Sequence, residues 1–143
     1  MINFSVPRSE QRKFERELKK YYKKSRKEFE HRVGQATMAM HRMAQDKAPR
    51  DNGDLRKNIH PYITNEGMTG EVESKAEYSA AVENGTKPHT IEIRKKKVLA
   101  NPETGQIFGK KVQHPGTIGQ PFMLPAWNKA RKDLIKGLRR VFR

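Results

Sequence analysis

From Glu10 to Lys47 the chain has no proline and only one glycine, Gly34. No other stretch constrains the fold as strongly. Good helix formers fill it. Phe14, Leu18, Tyr22, Phe29, Val33, Ala36, Met40 and Met43 follow one another at intervals of 4, 4, 7, 4, 3, 4 and 3, which places them on one helical face. The spacing predicts a single long helix. Pro49 ends it by pushing the residue before it out of helical geometry. Ser9 is the candidate N-cap, although Arg12 stands where a capping box needs Glu or Gln. Lys, Arg and Glu dominate Arg12–Arg32, whereas Val33–Ala44 is smaller and more apolar. The C-terminal half is therefore expected to pack on a core. The basic half, within residues 1–34, is expected to project or to lie on a neighbouring subunit.

A length of 143 residues predicts one domain spanning 1–143. The hydrophobic share is 34%, against an ordinary ~45–50% counted with Gly, so the core is small. The absence of Cys excludes disulfides and thiolate metal sites. No apolar run resembles a signal peptide or a membrane span, so a soluble cytoplasmic protein is expected, with no membrane partner. The net charge is +15. It is spread along the chain: +7 over residues 1–47 and +8 over residues 48–143. Such a balance points to polyanionic or acidic partners: nucleic acid, an acidic protein surface or an anionic membrane surface.

Beyond the helix, Asp51-Asn52-Gly53-Asp54 reads as a turn. It lacks the acid five residues before its Gly that a calcium loop requires, because position 48 is Ala. Ile59, Tyr62 and Ile63 suggest a strand, and Glu71-Val72-Glu73 its hairpin partner. Tyr78, Ala81 and Val82 share one face of a short helix that Asn84-Gly85 stops. Tyr78 and Val82 are expected as core anchors, with Glu83 tied to Arg56. A second hairpin, residues 87–113, carries six Lys/Arg between Arg94 and Lys111. Trp127, Ala130, Leu134, Leu138 and Val141 form the expected buried stripe of a last helix with Pro125 at its first position.

No catalytic constellation is visible. HExxH, Walker and GxGxxG patterns are absent. His89 and His114 are expected to approach each other across the second hairpin, near Glu83 or Glu92. Turn histidines bonded to backbone are the ordinary case, so no catalytic, metal or cofactor residue is assigned. Charge alone leaves a basic nucleic-acid-binding protein as the alternative function.

Three motifs occur in order: Ala48-Pro49-Arg50-Asp51-Asn52-Gly53-Asp54-Leu55-Arg56-Lys57-Asn58-Ile59, then Tyr78-Ser79-Ala80-Ala81-Val82-Glu83-Asn84-Gly85-Thr86, then His114-Pro115-Gly116-Thr117 with Gln120-Pro121-Phe122-Met123-Leu124-Pro125-Ala126. The set resembles the tail-component, or tail-completion, family of long-tailed bacteriophages and prophages over roughly residues 35–135. Asn52, Asn58 and Asn84 depart from that family's Thr, Ser and aromatic. The first 30 residues fall outside the resemblance.

The resemblance implies an α+β fold: a curved, mainly antiparallel sheet packed by the long N-terminal helix and a C-terminal helix, with a protruding basic hairpin loop. It implies a structural virion protein without catalysis or cofactor, made in the host cytoplasm and carried in the neck between head connector and tail. Its partners would be other neck and tail proteins and copies of itself in a ring, commonly hexameric, with DNA nearby. Structural motif positions are then Asp51, Gly53, Leu55, Arg56, Tyr78, Val82, Glu83, Gly85, Thr86, His114, Pro115, Gly116, Pro121, Phe122, Pro125 and Ala126. Arg94, Lys95, Lys96, Lys97, Lys110 and Lys111 are the expected partner contacts.

Overall fold

A computed structural model describes residues 7–50, 53–92, 99–100, 105 and 107–141. Asp51, Asn52, Arg94, Lys95, Lys96 and Lys97, together with the turn over 101–104, lie outside the described residues.

The proline-free run forms α1, Arg8–Lys47, a helix of 40 residues and so about 60 Å long at ~1.5 Å per residue. It begins one residue before the expected Ser9 cap. Pro7 takes the N-cap position with no side-chain bond, because its fixed φ already sets the helix entry and it has no N–H to satisfy. Val33, Thr37 and Ala44 are the buried residues of α1, and every residue from Pro7 to Lys24 is exposed.

A turn of helix follows, α2 (Asp54–Lys57), then the hairpin β1 (Ile59–Thr64) and β2 (Thr69–Ser74). Ile59 pairs with Ser74 and Thr64 with Thr69. Next come α3 (Ser79–Asn84), β3 (Gly85–Thr86), β4 (His89–Glu92), β5 (Leu99–Ala100), β6 (Ile107–Gly109), β7 (Lys111–His114), β8 (Thr117–Ile118) and α4 (Met123–Val141). The class is α+β with antiparallel pairing throughout. Among the described residues the strands form four two-stranded ladders, β1–β2, β3–β8, β4–β7 and β5–β6, and not one continuous sheet. Prolines explain part of the division: Pro88 separates β3 from β4 and Pro115 separates β7 from β8, each lacking the N–H a ladder needs.

The core lies where α1, the first hairpin and α4 meet. Ala44, Ala48, Leu55, Ile59, Phe122 and Ala126 form it, with Met40, Met43, Val72 and Val82 packed around. Phe122 and Ile59 are its largest fully buried side chains. Small residues set the helix contacts. On α4 the buried positions are Ala126 and Ala130, which let α1 approach closely. Trp127, one position off that stripe, is therefore exposed and not buried as its apolar character suggests. Gly70 of β2 lies directly under α1: a Cβ there would fall 1.7 Å from Oγ1 of Thr37. That hydroxyl is buried and donates to the carbonyl of Val33 at 2.8 Å.

Candidate interaction site

The second and third motifs form one knot. Gly85 has φ 74° and ψ −179°, a backbone region that is essentially glycine-only, and not the left-handed helical turn expected of a C-terminal stop. The reason is that the chain leaves α3 straight into β3, where Gly85 pairs with Ile118 and Thr86 with Thr117. A Cβ on Gly85 would lie 2.4 Å from the Thr117 carbonyl oxygen. One on Gly116 would lie 2.3 Å from the Thr86 oxygen, and one on Gly119 2.8 Å from the carbonyl carbon of Asn84. Three glycines from two segments thus interlock, because only bare backbone fits. The Thr117 N–H donates to Thr86 Oγ1 at 3.1 Å, the two hydroxyls share a bond at 3.0 Å, and the Gln120 N–H donates to the Val82 carbonyl at 2.7 Å.

Glu83 completes the knot, with a partner other than the one expected. Its Oε2 accepts the backbone N–H of Phe122 at 2.8 Å and of Met123 at 2.9 Å, and Oε1 accepts that of Leu124 at 2.9 Å. These amides open α4 and lack intrahelical partners. Negative charge is also favoured at the positive end of the helix dipole. Partial burial pushes the Glu83 carboxyl up, but the three backbone donors more than offset it and hold it below the usual range. Arg56 is engaged elsewhere: its Nε donates to the Gln45 carbonyl at 2.7 Å, and its guanidinium lies 3.6 Å from Asp46. α4 therefore starts at Met123, and Pro125 is its third residue, still within the first turn where a missing N–H costs nothing.

The first motif closes over this knot. Leu55, Tyr78, Ala81, Val82, Thr117 and Ile118 are among the residues around an apolar cleft of about 290 Å³. Tyr78 is 46% exposed at its rim, and so not the core anchor its spacing implied; Ile118 is 93% exposed. Ile118 and Gly119 were missed by sequence reasoning. The Gly-x-x-Gly spacing after Pro115 was the available signal. Lys110 is exposed, and Lys111 pairs with Glu92 at 2.7 Å.

His89 and His114 do meet, as a cross-strand pair with ring centres 5.0 Å apart. Nδ1 of His89 donates to the Lys87 carbonyl at 2.9 Å, whereas Nδ1 of His114 accepts the Gly116 N–H at 3.1 Å. In the neutral rings this leaves a bare Nε2 on His89 and a protonated Nε2 on His114. The pair therefore offers one free lone pair, not two. Glu83 is bonded to α4 and Glu92 to Lys111, so neither carboxylate is free to join it. Among the described residues no helix is long and apolar enough to cross a membrane.

A larger apolar groove, about 660 Å³, lies on the N-terminal half of α1, where Leu18, Tyr21, Tyr22 and Phe29 face Met68. Phe14 is 68%, Leu18 54% and Tyr22 67% exposed.

No curated protein and no solved structure gives a significant match to the chain. A family model for the HK97-gp10-like bacteriophage tail component matches residues 12–85. The match begins inside the basic half of α1, which had been placed outside the resemblance, and it ends at Gly85, before the third motif. The span takes in the first motif, the second as far as Gly85, and more than half of the chain, which therefore belongs to the HK97-gp10-like family of bacteriophage tail components.

Proposed function

We propose that the chain is a structural subunit of the neck of a long-tailed phage or prophage particle, where it joins the head connector to the tail as part of a ring, commonly of six copies. The observation that carries this is the exposed apolar stripe of α1. Phe14, Leu18 and Tyr22 lie on a stretch in which every residue is exposed. Contiguous exposed apolar and aromatic surface of this kind marks a contact site. Membership of a tail-component family supports a particle protein as the partner.

The stripe is bordered by Lys19 and Arg26, and residues 8–30 hold ten Lys/Arg against five Glu. Its occupant is accordingly an apolar surface with an acidic rim on an adjacent neck or tail protein. Copies carrying +15 each repel one another. The free chain is therefore a monomer in the host cytoplasm and closes into a ring only on an acidic template. The basic segment 87–113 would reach the neighbouring subunit or the adjacent ring through Arg94, Lys95, Lys96, Lys97, Lys110 and Lys111.

Deleting the gene from an inducible phage genome tests the joining role. Filled heads and free tails should accumulate separately, and the gene supplied in trans should restore whole particles. Joined particles in its absence would remove the proposal.

A further inference from the structure

α4 has two faces. Ala126, Ala130 and the half-buried Leu134, Leu138 and Val141 lie towards the protein. On the outside, Lys132, Ile135, Lys136, Arg139 and Arg140 line an open groove of about 490 Å³. The four cations stand at i, i+4, i+7 and i+8, so they form one stripe about 12 Å long at ~1.5 Å per residue.

These charges are not neutralised locally. The only acid in α4, Asp133, pairs with Lys129 at 3.2 Å, and none of the four has an ion pair among the described residues. The helix dipole accounts for cations in the last turn, Arg139 and Arg140. It does not account for Lys136, one turn earlier, or Lys132, two turns earlier.

The apolar content of the groove identifies its ligand. Protein partners bind through buried aromatic and aliphatic anchors, as the α1 stripe provides. The α4 groove has Ile135 alone. A phosphate backbone needs only cations, with one phosphate per ~3.4 Å of each strand, so about three fit along the stripe. Single strands would need aromatic platforms for stacking, and the groove has none. We infer that the α4 groove binds the phosphate backbone of duplex DNA, electrostatically and without sequence preference. This stands independently of where in the particle the chain sits.

Fluorescence anisotropy of the full chain with a labelled duplex of about 30 bp and arbitrary sequence, over about 50–300 mM salt, tests it. Neutralising the stripe (K132Q/K136Q/R139Q/R140Q) should weaken binding at least ~10-fold at about 100 mM salt and lower the log–log salt slope by about 3. Removing the same charge from α1 (K13Q/K23Q/K24Q/K27Q) should change affinity less than ~3-fold. Thermal melts confirm that both variants are folded. Three results would overturn the assignment: no binding by the wild type at the lowest salt, equal losses in the two variants, or displacement of the duplex by polyglutamate as effectively, per charge, as by unlabelled duplex. The last would assign the groove to an acidic protein.

Discussion

The carboxylate of Glu83 lies 2.8 Å from the backbone nitrogen of Phe122, across 39 positions of sequence. One side chain at the end of a six-residue helix thereby sets the start of the C-terminal helix and holds Phe122, a fully buried core residue, in place. The second and third motifs are parts of a single device.

Replacing Glu83 by Gln keeps one acceptor but loses the charge, and should cost about 1–2 kcal/mol near neutral pH. The folded-state carboxyl titrates below its ordinary value, so its stabilisation is present above the unfolded value of about 4.3. It is lost as pH falls through the lower folded value. The difference in stability between wild type and Glu83→Gln should be full above about pH 5 and should close below about pH 4. Urea titrations across that range check this; a gap that stays constant would mean the charge is irrelevant.

Two glycines separate backbone strain from steric clash. Gly53 has φ 82° with nothing near its absent Cβ, whereas a Cβ on Gly119 meets backbone at 2.8–2.9 Å. Gly53→Ala should cost about 1 kcal/mol of strain. Gly119→Ala should cost more than about 2 kcal/mol, because two backbones must part. Equal losses in chemical denaturation would contradict the interlocked arrangement.

Gly70→Ala forces a Cβ against Thr37 Oγ1. The substitution should destabilise by about 2–3 kcal/mol, and adding Thr37→Ala should recover at least about 1 kcal/mol of it. Strictly additive losses would mean that α1 does not cross β2 at this point.

Phe14→Gln, Leu18→Gln and Tyr22→Gln should each leave the stability of the isolated chain within about 0.5 kcal/mol, as expected for exposed positions. Together they should block incorporation into particles, scored by complementation of the deletion strain. Full complementation by the triple variant would remove α1 as the docking surface.

The long helix was legible because it rests on a local pattern: no proline, 3.6-residue periodicity and a closing Pro49. So were the hairpin joining Ile59 to Ser74 and the short helix before Gly85. What escaped depends on long-range geometry. Tyr78 and Trp127 look like core residues by composition, yet Ala126, one position from Trp127, makes the close contact and leaves that ring at the surface, and Tyr78 stays half exposed at the rim of the apolar cleft. Glu83 looked like a partner for Arg56, since opposite charges are visible in sequence. The unpaired amides at the start of a helix 39 residues away are not. The interlocking of Gly85, Gly116 and Gly119 is likewise invisible until β3 and β8 are paired. The exposure of Phe14, Leu18 and Tyr22 is a property of where the rest of the fold stops.

The most direct measurement is a cryo-electron microscopy reconstruction of the intact particle. Density matching the 40-residue α1 and its crossing with α4 should appear in a ring between head connector and tail, with the Phe14–Tyr22 stripe covered by a neighbouring protein. A neck fully accounted for by other chains, or this chain in place with the stripe facing solvent, would contradict the account.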